Sequence, residues 1–235
     1  MNDKQLDGAV GAPWFIVKFG KEEHLNNLQA GKFHLRSLQW FSTREAADHQ
    51  RDTNEGAALW LNPNESQILI NGHKFTAEGG TLNASLSFDG PQPHVFCASV
   101  IHRKEPIRED HKIFDDRMKE FGEDFLVILN IAEFYGRLKK ALASLRAKGV
   151  IEAFCAEDVL YFDERAYDGE VGTFRKSDRF QWQKEWRLAV TAKDRKEFFE
   201  FQTESLKDIS SLGKTKDLIN RIDSNEDGTY TLRIS

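Results

Sequence analysis

The chain has 235 residues, 40% of them hydrophobic and 30% charged, and it carries a formal net charge of −5. A folded chain of this length buries roughly 70% of the surface that it exposes when unfolded, so a substantial core is expected. No run approaches the roughly 18 apolar residues needed to cross a bilayer, and the acidic balance does not suit binding of polyanions by bulk charge. Composition therefore excludes a membrane-spanning protein and a generic polyanion binder.

The first residues of the sequence lack the basic and apolar stretches of a secretion signal. Cys97 and Cys155 have no cysteine neighbours at metal-ligand spacing. These features predict a cytoplasmic protein with reduced thiols, without a disulfide framework or a cysteine-rich zinc site.

The first part of the chain predicts two strands with a helix between them. Residues 14–20 (WFIVKFG) form a short apolar run that is typical of a buried strand. Residues 21–30 carry leucines at helical spacing and precede Gly31, and glycine is common just beyond a helix. Residues 32–42 begin with alternating apolar and polar side chains, which predicts a half-buried strand.

A polar and strongly charged segment, residues 43–56, is predicted to be a surface loop able to hold functional groups. Beyond it, short apolar runs predict further strands, with a hairpin turn at Asn71-Gly72. These strands are expected at residues 59–61, 67–70, 74–76 and 94–101.

The second half of the chain predicts a helix at residues 130–148, beginning with Asn130 and Glu133 in the arrangement of a capping box. A second helix is expected at residues 215–222. Strands are expected at residues 125–129, 159–162, 185–191 and 229–234.

The organisation predicted from these elements is a single α+β domain. Helices are few and irregularly placed, which favours an α+β fold over a doubly wound parallel sheet. No linker rich in Pro, Gly or Ser divides the chain. Residues 1–13 are therefore predicted to be an N-terminal arm and residues 14–235 one domain.

Motifs for binding metals or nucleoside triphosphates are incomplete. The segment from Asp223 begins like a calcium loop, but its twelfth position is Ile234, where a bidentate glutamate is needed. The Gly-Lys-Thr ending at Thr215 resembles a phosphate-binding loop, but Asp208 occupies the position of the leading glycine. The seven histidines include no His-x-x-x-His pair. The sequence therefore predicts no metal site.

The strand segment EWRLAVT contains the first candidate site. Its alternation places Glu185 and Arg187 on one face and three apolar side chains on the other. A carboxylate and a guanidinium on one strand face suit a catalytic site, but exposed ion pairs on a solvated sheet are ordinary. Spacing alone favours the exposed pair.

The loop segment RDTNEG, from Arg51 to Gly56, contains the second candidate site. The guanidinium of Arg51 offers five donors for phosphate oxygens, and a loop placed between strands is able to deliver it to a cleft. A solvated turn closed by Gly56 is the alternative.

The order of these elements resembles the ADP-ribosyltransferase fold, with a split mixed sheet and few helices. A strand with Lys18, a strand with His34, a charged loop and a strand with Ser99 are followed late in the chain by a strand that opens with Glu185. Between residues 14 and 190, short segments are also similar to a bacterial family associated with phage-defence and toxin systems. These segments are GKFHL at 31–35, RDTNEG at 51–56, FCAS at 96–99, and FRK and WQKEWRL at 174–176 and 182–188.

The resemblance implies an enzyme that splits the nicotinamide–ribose bond of NAD and passes ADP-ribose to an acceptor without a metal. That bond breaks through an oxocarbenium-like state, which an anion beside the ribose stabilises. Glu185 is the candidate for this anion and for assisting removal of the acceptor's proton. Gln183, two residues earlier, and Arg51 are the other candidate catalytic residues. We expect Glu185→Gln to stop transfer and leave the fold intact.

The resemblance also implies a set of residues that hold NAD. The candidates are Lys18, Phe19, His34, Phe41, Ser42, Arg51 and Ser99. The cations among them suit the pyrophosphate and the adenosine ribose, because phosphates need donors. Ser99 is expected to orient Glu185, and Phe41 or its neighbour Trp40 to stack on the nicotinamide.

The acceptor is open between a protein, an RNA and a DNA. The acidic net charge favours a single strand over a duplex, because a duplex needs a broad basic face. The toxin resemblance implies an antitoxin that covers the cleft. The residues that suit a phosphate backbone, or else form a solvated surface, are Arg103, Lys104, Arg108, His111, Lys112, Arg175, Lys176 and Arg179.

The main alternative is a module that binds a nucleotide or a partner protein in the same cleft and catalyses nothing. A nuclease is poorly supported, because the sequence carries no carboxylate-rich metal cluster.

Overall fold

A computed structural model describes residues 13–43, 52, 54–61, 68–70, 73–75, 82–84, 93–102, 113–194, 196–220, 222–224 and 230–232. The helices are α1 (Glu22–Gln29), α2 (Leu38–Thr43), α3 (Ile131–Ala147) and α4 (Thr215–Asn220). Short 3₁₀ segments span Asp116–Phe121 and Asp178–Gln183. The strands are β1 (Pro13–Gly20), β2 (Lys32–Ser37), β3 (Leu59–Leu61), β4 (Ile68–Ile70), β5 (His73–Phe75), β6 (Leu82–Ala84), β7 (His94–His102), β8 (Asp124–Ile128), β9 (Ile151–Asp158), β10 (Leu160–Phe162), β11 (Gly169–Glu170), β12 (Arg175–Ser177), β13 (Glu185–Ala192), β14 (Phe198–Gln202), β15 (Ser210–Lys214), β16 (Ile222–Ser224) and β17 (Tyr230–Leu232).

The chain is α+β, with few helices around a large antiparallel sheet, which confirms the predicted class. The strands of this sheet are β1, β2, β7, β8, β9, β13, β14 and β15, and their pairings are antiparallel. The sequence predicts a mixed sheet, but the parallel pairing seen among the described strands, β10 with β12, lies in a separate small sheet. β1 begins at Pro13, one residue inside the predicted arm, and residues 1–12 lie outside the described range.

Strand β7 lies at the centre of the large sheet, and one of its edges is divided between two strands. β13 pairs with residues 94–99 of β7 along one edge. On the other edge, β2 pairs with residues 94 and 95, and β1 pairs with residues 99–102. No strand of the described chain pairs with residues 96–98 there, so β1 and β2 separate at this point. The sheet is therefore split into a β1–β8–β15 branch and a β2–β14 branch.

The faces of the sheet carry different layers. Even-numbered side chains of β7 and β13 pack in the main hydrophobic core against α1 and α3. The odd-numbered side chains point the other way, since side chains alternate along a strand. The main core includes Leu25, Leu28, Phe96, Val100, Phe134, Leu138, Leu142, Trp186, Leu188 and Val190. The opposite face of the sheet is thus free of both long helices, and it carries the candidate site.

The strand predicted at residues 32–42 is shorter in the structure. β2 ends at Ser37, and the residues that follow it form α2. The Ser37 hydroxyl accepts a hydrogen bond from the backbone N–H of Trp40 at 3.2 Å, as helix-capping serines do. A serine before LQWF is therefore a helix start, a signal that the preceding alternation obscures.

Three strands of the large sheet are not predicted by the sequence. β9 pairs with β13 although IEAFCAED lacks clean alternation. β14 pairs with β2, and β15 pairs with β8 although SSLGK contains few residues that favour strands. The helix predicted at 215–222 ends at Asn220, and residues 222–224 form β16, which pairs with β17. For β9, β14 and β15, pairing with a strand distant in sequence overrides local preference.

Helix α3 begins where the sequence predicts, with one of the two hydrogen bonds of a capping box. The side chain of Asn130 accepts a hydrogen bond from the backbone N–H of Glu133 at 3.1 Å. The Glu133 carboxylate contacts Arg137 along the helix surface, at 2.8 Å from its Nε. None of the helices in the described part of the chain has the length and apolar character needed to cross a membrane.

Gly31, between α1 and β2, is a position where only glycine fits. Its φ is +89°, and an added Cβ would lie 2.7 Å from the backbone oxygens of Thr203 and Glu204. We expect Gly31→Ala to lower the free energy of unfolding by about 2 kcal/mol or more, through backbone strain and this contact. Urea denaturation measures the loss. Gly136→Ala is the matched control, because its Cβ would meet nothing within 4 Å and alanine favours a helix. An equal loss of stability in both variants would contradict the claim that the backbone requires glycine at position 31.

Candidate functional site

A cavity of about 240 Å³ lies on the face of the sheet opposite α1 and α3, beside the split between β1 and β2. Its apolar wall is formed by Val17, Phe19, Phe41, Met118 and Phe121. Its charged side is formed by Asp52, Glu55, Lys176, Glu185 and Arg187. The strand, the loop and both 3₁₀ segments that the sequence separates thus meet at one site.

Glu185 and Arg187 form a buried ion pair at this cavity. Their residues are only 6% and 1% exposed, so the interpretation as a solvated surface pair is wrong. Arg187 donates from Nε to Oε1 of Glu185 at 2.7 Å and from Nη2 to Oε2 at 3.2 Å. Both carboxylate oxygens are therefore fixed by one planar guanidinium.

Two further charges complete what we call the buried ion cluster, which consists of Glu55, Lys176, Glu185 and Arg187. Nη1 of Arg187 lies 2.7 Å from Oε1 of Glu55. Nζ of Lys176 lies 3.1 Å from Oε2 of Glu185 and 3.4 Å from Oε2 of Glu55. Two carboxylates and two cations balance each other, and this balance is what makes burial of the charges tolerable.

The ion cluster keeps Glu185 ionised. Burial alone would raise the pKa of Glu185, but the charges of Arg187 and Lys176 outweigh burial and hold that pKa well below its usual range. Burial would likewise lower the pKa of Lys176, but the carboxylates of Glu185 and Glu55 raise it above its ordinary value. Glu185 is therefore a permanent anion at neutral pH, with a fixed orientation.

Ser99 and Gln183 lie beside the start of β13 and form hydrogen bonds there. Ser99 lies opposite Glu185 in the pairing of β7 and β13, but its hydroxyl donates to the backbone oxygen of Gln183 at 2.7 Å. Lys176 donates to the side-chain Oε1 of Gln183 at 3.0 Å. Nε2 of Gln183 is buried and has no hydrogen-bond partner within the described chain. Ser99 thus fixes the backbone that leads into Glu185, and not its carboxylate.

A strained turn and a tyrosine fix the backbone of Glu185. Lys184 has a φ of +45°, the left-handed region that a lysine rarely adopts, and this turn leads from the 3₁₀ segment into β13. The backbone N–H of Glu185 donates to the Tyr161 hydroxyl at 2.9 Å. These contacts place the carboxylate at the cavity with little freedom.

Lys18 lies at the split of the sheet. Its ammonium donates to the backbone oxygen of Cys97 at 2.6 Å, on the stretch of β7 that neither β1 nor β2 reaches. It also lies 5.0 Å from the ring centroid of Phe96. Lys18 therefore lines the cavity and replaces a missing strand partner.

Of the other predicted NAD-binding residues, some line the cavity and others do not. Phe19 and Phe41 line the cavity. His34 is exposed on β2, where Nδ1 lies 2.8 Å from Oε1 of Glu200 and its ring stacks on Phe198. Arg51 lies outside the described residues, and for Ser42 the structure describes the backbone in α2 but not the side chain.

Several residues of the site are not identified by the sequence analysis. Asp52 and Glu55 belong to the RDTNEG segment, but only Arg51 is singled out there. The sequence analysis assigns Lys176 to a phosphate-binding or a solvated surface, whereas it is 6% exposed and bound to carboxylates, so both interpretations are wrong for this residue. Arg179, from the same set, lies 3.7 Å from Asp52. The basic residues between 103 and 112 lie outside the described residues.

Cys97 is the thiol of the site. It lines the cavity and hydrogen-bonds Glu185. Burial and the neighbouring Glu185 carboxylate raise the pKa of this thiol well above its usual range, so it is a neutral side chain and not an activated thiolate.

The site as a whole offers a fixed anion beside an apolar wall. Such an anion stabilises a positive charge that develops next to it. Comparisons of the chain with protein-family models, with curated proteins and with solved structures found no match. Interpretation of the site therefore depends on its geometry and its residues.

Proposed function

We propose that the protein is an NAD-dependent ADP-ribosyltransferase that uses Glu185 as the anion beside the reacting ribose. The observation that carries this proposal is the position of Glu185, ionised and buried at a cavity beside the split between β1 and β2. The ADP-ribosyltransferase resemblance predicts such a split sheet, with a glutamate opening a late strand.

Cleavage of the nicotinamide–ribose bond requires stabilisation of the positive charge on the ribose more than it requires proton transfer to the leaving group. The bond between C1′ of the ribose and N1 of nicotinamide breaks, and its electron pair leaves with nicotinamide, which becomes neutral. The positive charge then spreads over C1′ and the ring oxygen. The Glu185 carboxylate is buried, so its attraction to this charge is stronger than in bulk solvent.

The same geometry supports an orientation for NAD. The apolar wall with Phe19 and Phe41 suits the nicotinamide ring, and aromatic side chains favour such flat partners. His34 shares a sheet face with the cavity, because Arg36 lies opposite the cavity residue Val95 and alternate residues share a face. We therefore keep His34 as a candidate for the pyrophosphate and the adenosine end, together with Lys18, which lines the cavity. Arg51 stays a candidate on the sequence alone.

For the acceptor we propose a single-stranded RNA or DNA, with a protein as the alternative. A base must leave its stack before its nitrogens approach a buried ribose carbon, which favours an unpaired strand. The net charge of −5 argues against a duplex clamp. We also propose a cytoplasmic toxin or defence effector with an antitoxin partner, and the free thiols of Cys97 and Cys155 are consistent with a reducing compartment.

The test measures release of nicotinamide from NAD by the purified protein, alone and with acceptors. Matched single-stranded and double-stranded RNA and DNA, and a protein extract, are offered with labelled NAD at several salt concentrations. We expect nicotinamide release and label on a single strand. Label on a duplex or on protein would contradict the proposal of a single-stranded acceptor and identify the duplex or the protein as the acceptor instead. NAD binding without nicotinamide release for any acceptor would favour the non-catalytic binding module.

A further inference from the structure

The proposed reaction needs a group that removes a proton from the acceptor, and Glu185 is poorly suited to this task. Its two oxygens receive donors from Arg187 and Lys176, and these cations hold its pKa well below the usual range. A carboxylate with a low pKa is a weak base. We therefore no longer expect Glu185 to take the acceptor's proton, and another group has to do so.

Asp52 is a second carboxylate at the same cavity, in a contrasting environment. It is 6% exposed and lines the cavity together with Glu185. Its Oδ1 accepts a hydrogen bond from the backbone N–H of Asn54 at 2.9 Å, and Nη2 of Arg179 lies 3.7 Å from the same oxygen. Its Oδ2 receives no hydrogen bond from the described part of the chain. One oxygen is thus anchored and the other is available.

The charges around Asp52 increase its basicity. Glu55 faces it from the same loop, Lys176 from β12 and Arg179 from the 3₁₀ segment that precedes β13. Burial and the Glu55 carboxylate raise the pKa of Asp52, and the two cations offset this only in part. Two carboxylates of one cavity whose pKa values are moved in opposite directions are typical of separate catalytic roles.

We infer that Asp52 accepts the proton of the acceptor nucleophile, a hydroxyl or amino group or a water molecule, as that nucleophile bonds to C1′. The inference rests on the proposed function. In the step, the C1′–N1 bond breaks and its electron pair leaves with nicotinamide, the bond from the nucleophile to C1′ forms, and the proton passes to Oδ2 of Asp52 and then to solvent. Glu185 stays ionised throughout and Asp52 is regenerated. No further reactant is needed.

The experiment compares Asp52→Asn with the wild type in NAD cleavage, with water and with azide as nucleophiles. The amide oxygen of asparagine is still able to accept the Asn54 N–H, so the turn is expected to be kept. Azide is an anion with no proton to lose. We expect formation of ADP-ribose from water to fall roughly 10²- to 10⁴-fold, the usual contribution of a general base. Formation of azido-ADP-ribose is expected at the wild-type rate, and NAD affinity is expected to be unchanged.

A pH profile supplies the second measurement. The wild-type rate with water is expected to fall as the pH drops through the raised pKa of Asp52, and this limb is expected to disappear in Asp52→Asn. Asp194→Asn removes an exposed carboxylate that pairs with Lys196, and serves as the control that changes neither rate nor profile. Equal rates with water in Asp52→Asn and the wild type would overturn the inference alone, as would a loss that azide does not restore. No nicotinamide release from the wild type would overturn the proposed function, and this inference with it.

Discussion

Glu185→Gln is expected to reduce nicotinamide release by about 10³-fold or more and also to destabilise the protein. The rate falls because a neutral amide does not stabilise the charge on the ribose, and such electrostatic terms are usually the largest in catalysis. Stability falls because Arg187 and Lys176 then face Glu55 as their remaining carboxylate in the ion cluster. Removing one partner of a buried pair costs about 3–5 kcal/mol. The expectation of an intact fold considers only that glutamine has the same size as glutamate and not the buried charges around Glu185, and it is therefore withdrawn.

A double variant separates the two effects of Glu185→Gln. Glu185→Gln combined with Lys176→Met removes one charge of each sign, so that Glu55 and Arg187 are left as a balanced pair. We expect thermal denaturation to show that the double variant recovers much of the lost stability, while nicotinamide release stays as slow as in Glu185→Gln. If the double variant regained the wild-type rate, the charge of Glu185 would not be part of the mechanism. Lys176→Met alone is the control for loss of the ammonium.

The sequence identifies the faces of β13 correctly but not their burial. Trp186, with its neighbours at alternate positions, enters the main core, as the alternation predicts. Glu185 and Arg187 are buried as well, because the sheet is covered on its other face by the loop that carries Glu55. Glu55 lies 130 positions before Glu185 in the chain, and no local pattern links them. Only the tertiary structure shows that the charges neutralise each other.

The strands that the sequence does not predict also depend on contacts between segments that are distant in the chain. β9 and β15 have weak local preference for strands, and they are stabilised by pairing with β13 and β8. Strong local signals succeed where they exist: the apolar run of β1, the cap at Asn130 and the alternation of β13 all predict the observed elements. Edge and polar strands depend on partners that are distant in sequence, so short-range patterns do not specify them.

The candidate site is only partly predictable for a related reason. Lys18, Phe19, Phe41, Ser99, Gln183 and Glu185 are identified from the sequence and line one cavity. The partners that set the electrostatics, Glu55 and Lys176, are ordinary charged residues in sequence. Their role depends on distances to Glu185 and Arg187 that arise only when the loop, β12 and β13 meet. Sequence motifs thus predict the position of a site better than its charge balance.

Arg187→Met is expected to lower the free energy of unfolding by about 3–5 kcal/mol at pH 7. The guanidinium bridges Glu55 and Glu185 and also donates to the backbone oxygen of Thr173 at 2.5 Å. Without it, Lys176 is the remaining cation of the cluster for two buried carboxylates. Urea denaturation between pH 5 and pH 8 measures the loss, with Arg187→Lys as the control that keeps the charge.

The pH dependence of Arg187→Met identifies the cause of the loss. In the wild type the pKa of Glu185 is lowered, so its contribution to stability is present above the unfolded pKa of about 4.3 and is lost only as the pH falls below it. In the variant an unneutralised buried carboxyl has a raised pKa, so stability is present at low pH and is lost as the pH rises through that folded value. We therefore expect Arg187→Met to gain stability from pH 8 to pH 5 relative to both the wild type and Arg187→Lys. A loss that is the same at every pH would mean that packing, and not charge, is what Arg187 contributes.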